Sequence, residues 1–164
     1  MISKKLQDAI NAQIQAEMYS SNLYLSMAAY CESINMKGFA HWMRLQAGEE
    51  LMHAHKFFDY VIQREGRAQV GAIEAPPQEF KSPRDVFDQT LAHEKKVTGL
   101  IYSLYELALA EKDYAAQSML QWFITEQVEE EANASEYVAK LKMIGESSNA
   151  IFMLDKELGK RGTR

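Results

Sequence analysis

Cysteine is almost absent. Cys31 is alone, which rules out an internal disulfide framework and any metal site built on cysteine only. Its helical phase falls near the apolar side, so it reads as a small core residue. Proline and glycine are scarce, at three and eight of 164 residues, so helices can run long without a breaker. No apolar run approaches the roughly 20 residues that span a bilayer, and the N-terminus carries no signal-peptide pattern. The expectation is a cytoplasmic protein with no membrane partner. A basic excess is lacking too. The chain has 23 acidic against 18 basic residues, a net charge of −5, which argues against nucleic acid as a partner. With 47% hydrophobic and 25% charged residues, a packed core is attainable and disorder is not expected.

What is present is helical periodicity. It predicts an all-α chain forming a single domain over residues 1–164. Helices are expected over about 3–33, 37–65, 83–110, 113–144 and 149–158. Ser3 is a candidate N-cap, and Ser82-Pro83-Arg84-Asp85 is a clear helix start. Gly66 is the expected C′ residue of the second helix. Residues 67–82 hold Gly71, Pro76 and Pro77 and no helical stripe. Sixteen extended residues cover about 50 Å, the length of a 30-residue helix, so this segment reads as a crossover along a four-helix bundle. The short last helix is apolar enough to dock, and the basic tail from Lys160 to Arg164 is expected to fray.

The chemistry is in the stripes. Glu50 and His53 are three residues apart and share a helix face. At 100° per residue, Glu50 lies within about 20° of Phe39, Met43, Phe57 and Val61, while Arg44, His55 and Asp59 lie opposite. A carboxylate and an imidazole thus point into an apolar core. An unpaired buried carboxylate is costly enough that it is normally paired or bound to metal. Glu17, with Tyr24 on its face, Glu94 and Glu130 fall on the inward stripes of the first, third and fourth helices by the same phase argument, and Glu126 lies about 40° from Glu130.

Height completes the pattern. Positions 17 and 50 have their midpoint at 33.5, beside the first turn, and positions 94 and 130 at 112, in the second. In an antiparallel hairpin, residues equidistant from the turn lie side by side, so each pair of glutamates meets at mid-bundle. Four carboxylates give −4, which two divalent cations would cancel. Without metal, mutual repulsion should raise some of their pKa values. Carboxylate with imidazole suits iron or manganese, and zinc less specifically. The alternative, a proton-sharing polar core that sets helix register, has to carry four carboxyls at one level without a cation.

On Glu17, Glu50, His53, Glu94 and Glu130, the chain resembles the ferritins, and most closely the bacterial non-haem ferritins, over nearly its full length. The resemblance implies a ferritin-like four-helix bundle with a long crossover and a short fifth helix lining a fourfold axis. It implies a dinuclear iron centre in which Glu50 bridges, Glu17 and His53 hold one iron, and Glu94 and Glu130 hold the other. Gln127 stands behind the ligands, and Tyr24 hydrogen-bonds a ligand or supplies an electron. Glu49, Glu126 and Glu129 match a third iron site. The implied activity is oxidation of Fe²⁺ by O₂ or H₂O₂ and storage of ferric mineral in a shell of 24 subunits. A second Glu-x-x-His, as in bacterioferritins, is absent, because the fourth helix offers Gln127-x-x-Glu130. Met52 falls where bacterioferritins place a haem ligand; it reads instead as an apolar dimer contact with Leu45, so no haem is expected. A di-iron enzyme acting on an organic substrate and a helical scaffold without chemistry are the rival classes. The first is usually longer and carries two Glu-x-x-His pairs.

Overall fold

A computed structural model describes residues 1–162. Five helices account for most of them: α1 (Lys4–Ser33), α2 (Lys37–Gln63), α3 (Pro83–Ala110), α4 (Tyr114–Ile144) and α5 (Ser148–Leu158). No strand occurs among the described residues, and none of their helices is long and apolar enough to cross a membrane. The starts follow local chemistry. Ser3, Ser82 and Asp113 each accept a hydrogen bond from the backbone N–H three residues on, and Pro83 fills the first turn of α3, where no N–H partner is needed.

The long helices end alike. After α1, α2 and α3 come Asn35, Glu65 and Lys112, with φ of 61°, 57° and 53°. In each case the next N–H reaches back to a carbonyl of the last turn: Met36 to Cys31, Gly66 to Val61 and Asp113 to Ala108. This corrects the expected end of α2. The helix stops at Gln63, and Glu65 rather than Gly66 takes the left-handed position. Gly66 is needed for room, because a Cβ there would meet Ile2 and Gln7 side-chain atoms at 2.9 Å. Asp113 has a second role besides capping α4. Both its oxygens accept from Arg64 at 2.9 Å, which ties the end of α2 to the start of α4.

The crossover lies along α1. Gln7 accepts from the Arg67 N–H and Asn11 from that of Gln69, while Gln15 donates to Ala72 O and Ser26 to Pro77 O. These side chains satisfy loop backbone that has no secondary structure of its own. α5 turns back onto the start of α2. Met36 offers α2 no side-chain cap, and Asp155 of α5 supplies one, accepting from the Gly38 and Phe39 N–H groups at 2.8 and 3.0 Å. Leu154 and Leu158 are buried beneath α5, while Phe152 and Met153 are exposed. The tail does not begin to fray at Lys160 as expected. Lys160 and Arg161 continue in hydrogen-bonded turns, and the Arg161 side chain is held by α2. Thr163 and Arg164 lie outside the described residues.

The bundle interior has three levels. One apolar cluster, with Met27, Phe39, Met43 and Phe87, lies toward the α1–α2 turn and α5. A second, with Ile10, Phe57, Ile101 and Phe123, lies toward the α3–α4 turn. Between them is a buried polar layer.

Candidate metal centre

Each long helix contributes to that layer. Glu17, Glu50, His53, Glu94 and Glu130 are all at most 5% exposed. Ligating atoms of Glu17, Glu50 and His53 lie within 4.8 Å of one another, and so do those of His53, Glu126 and Glu130. His53 joins the two groups. Its Nδ1 is 3.3 Å from Glu50 Oε2 and its Nε2 is 3.9 Å from Glu126 Oε1. Trp122 and Phe123 meet the imidazole edge-on at 5.5 and 5.8 Å and fix its plane.

The donors serving the four carboxylates are neutral. Gln13 donates to Glu17 at 2.8 Å, and Gln46 donates to Glu130 at 2.6 Å and to Glu50 at 3.3 Å. Gln127 donates to Glu94 at 3.2 Å, and the Tyr24 hydroxyl makes a short hydrogen bond to the same carboxylate. Glu17 Oε2 is buried with no partner, a condition rare in folded proteins. Burial is the main force raising the pKa of Glu17 and Glu50 well above the carboxylate range, and each carboxylate is raised further by its acidic neighbours, Glu50 for the first, Glu94 and Glu130 for the second. Burial also raises Glu94, against the hydrogen bonds from Tyr24 and Gln127. Glu130 is pushed up to about 7 by burial and then by Glu94. Buried carboxyls this crowded, with neutral donors and one orphaned oxygen, fit a cation held by oxygen and one imidazole nitrogen.

Several expected residues are placed differently. Glu94 stands outside both groups of close ligand atoms, engaged by Tyr24 and Gln127. Gln127 presents its amide N–H to Glu94 and Thr98. Of the expected third-site residues, Glu126 closes on His53 and Glu130, whereas Glu49 and Glu129 join neither group. Glu49 is paired with Arg161 and Glu129 is exposed. The phase argument also passed over Gln13 and Gln46. Each stands four residues before a core glutamate on the same helix face, and that spacing was the available signal. His93 was missed as well. Burial lowers its pKa to about 4, and its ring braces the edge of Tyr24 at 5.9 Å.

The sequence and the fold have known counterparts. A bacterial non-heme ferritin of Bacteroides fragilis (strain 638R) is 49% identical over 161 residues, covering 98% of this chain and all of that protein. Another, of Staphylococcus aureus (strain MRSA252), is 41% identical, covering 98% and 97%. An open pore ferritin from the hyperthermophilic archaeon Archaeoglobus fulgidus superposes with a TM-score of 0.97 at 52% identity, covering 98% of this chain and 99% of that one. The family model for a ferritin-like domain matches residues 7–144, which take in every glutamate of the polar layer, and the chain belongs to the ferritin family.

Proposed function

We propose that this chain, acting as one ferritin-like unit, stores iron by oxidising it at the polar layer. The observation that carries the reading is the orphaned, buried Glu17 Oε2, grouped with Glu50 and His53 so that their ligating atoms could close on one cation. Ferrous iron is the substrate. Glu17 and His53 hold one ion, Glu94 and Glu130 the other, and Glu50 bridges. Glu94 would turn from Tyr24 to do so, which leaves the phenol free to hydrogen-bond a ligand or give up an electron. Two Fe²⁺ each lose one electron. O₂ accepts both with two protons to give H₂O₂, or H₂O₂ accepts both with two protons to give two waters. Gln13, Gln46 and Gln127 orient the carboxylates. Glu49, Glu126 and Glu129 form a third site that feeds or relays iron.

The product is ferric oxyhydroxide mineral inside a cytoplasmic shell of 24 copies, with α5 at its fourfold axis. No haem is needed, and Met52 serves as an apolar contact between copies. Native mass and iron-dependent oxygen uptake test this together. A large closed assembly that oxidises two ferrous ions per subunit in a fast phase is expected. A monomer at neutral pH, or no oxygen uptake on adding iron, overturns the reading.

Proton release gives a separate check. Burial raises the pKa values of Glu17, Glu50 and Glu130, the last to about 7, so the metal-free centre holds protons more tightly than free carboxylates do, and ferrous binding must expel those it holds. Glu130, at about 7, changes from mostly protonated to mostly ionised between pH 6 and 8. An anaerobic titration in a pH-stat should therefore release more protons per subunit at pH 6 than at pH 8. Equal release at the two pH values would contradict the assignment of Glu130 as a ligand.

A further inference from the structure

Arg161 lies beyond α5, 112 positions from Glu49, yet its guanidinium reaches the rim of the polar layer. One nitrogen donates to Gln46 Oε1 at 2.9 Å and to Trp42 O at 3.3 Å, and the other donates to Glu49 Oε2 at 2.5 Å. The guanidinium stacks on Trp42, 4.3 Å from the ring centroid, and His41 Nε2 lies 2.9 Å from the Arg161 carbonyl. This cation is therefore located by both its backbone and its side chain. The Arg161 and Glu49 side chains keep 22% and 38% of their exposure, so the pair is accessible to an ion arriving from solvent.

We propose that Arg161 is an internal competitor for the third ferrous ion, and that the third site fills by exchange of this guanidinium for Fe²⁺ on the Glu49 carboxylate. The inference rests on the reading of Glu49 as a third-site ligand. Two observations support the exchange. Glu49 is the one carboxylate paired with Arg161 among the described residues, so that ion pair has to break before the bonded oxygen can turn to a metal. Gln46, which Arg161 anchors through its carbonyl oxygen, gives its amide N–H groups to Glu130 and Glu50. Release of Arg161 is thereby communicated to two ligands of the iron pair. The arrangement favours filling of the pair before the third site.

The test uses the assembled full-length protein and Fe²⁺ itself. Crystals soaked anaerobically at graded Fe²⁺ concentrations, with anomalous scattering recorded at the iron edge, give the occupancy of each site separately. Arg161→Gln removes the charge, while Arg161→Lys keeps it without the forked geometry. In Arg161→Gln the third site should half-fill at about 3- to 10-fold lower Fe²⁺, the scale of one partly exposed charged hydrogen bond. Arg161→Lys should fall between that variant and the parent. A third site that fills equally in all three, or less readily in Arg161→Gln, overturns the competitor role. A parent protein whose pair never fills overturns the reading of the centre itself, and this proposal with it.

Discussion

Glu130→Ala is expected to abolish the fast phase of ferrous oxidation, and His53→Ala to lower it at least about 100-fold, since even groups behind metal ligands are worth 10- to 100-fold. Glu130 is the harsher loss because it takes away one of the four negative charges that offset two divalent cations, whereas His53 contributes a neutral nitrogen. His53 belongs to both groups of close ligand atoms, and Glu130 to the one that includes Glu126. Neither variant should unfold. Removing a carboxyl whose pKa is raised to about 7 by burial and Glu94 relieves repulsion in the metal-free state, which offsets part of the small cavity left behind. Glu129→Ala should behave differently. Glu129 is exposed and outside both groups, so the pair still fills and reacts, and the change appears in iron consumed per oxygen and in later turnovers. Stopped-flow oxidation at two irons per subunit, with oxygen uptake recorded alongside, separates these outcomes. If Glu129→Ala stops the first phase as fully as His53→Ala, the division between pair and third site fails.

The second large effect is expected far from the carboxylates. A Cβ on Gly38 would fall 1.6 Å from the Asp155 carbonyl oxygen and 2.6 Å from its carbon, and both are backbone atoms of a helix that cannot rotate away. Gly38→Ala must therefore displace α5. That removes the cap which Asp155 gives α2, worth about 0.5–2 kcal/mol. It also uncovers Leu154 and Leu158, worth about 1.5–3 kcal/mol each. Better helix propensity returns at most about 1 kcal/mol. A net loss of roughly 3–7 kcal/mol is expected, read as a lower melting temperature of the metal-free protein and faster proteolysis in residues 145–147. Gly99→Ala is the control. Its Cβ meets nothing within 4 Å inside this subunit, so a gain of about 0.5–1 kcal/mol is expected. A Gly38→Ala protein that melts with its parent would mean that α5 is not seated as described.

The four glutamates were legible because a carboxylate on an apolar helical stripe breaks a strong rule, and hairpin midpoints then fixed their height. The crossover was legible for a similar reason, since its length matched that of the helix beside it. Other features depend on partners that no local pattern names. Glutamines on a core stripe are common, so Gln13 and Gln46 gave no violation to notice. Asp155 caps a helix more than a hundred residues away, and the Arg161 contact with Glu49 exists only because α5 folds back onto α2. Gly66 shows how a sound local rule is overridden. Glycine usually supplies the left-handed residue after a helix, but here the packing of Ile2 and Gln7 required a missing side chain one position later.

The polar layer divides the apolar interior into two clusters, which has a consequence for cooperativity. Each half of the bundle has its own apolar cluster and its own helix turn, so in metal-free protein the halves can open by separate sub-global fluctuations. In the proposed centre, ions held by residues of all four long helices would act as a cross-link at mid-height, their binding free energy available only while both halves are closed. Iron loading should then slow amide exchange most in the turns of helix flanking Glu17, Glu50, Glu94 and Glu130, and should merge two exchange domains into one. The cargo would thereby set the rigidity of its own container, with an emptied subunit looser at its waist than at either end.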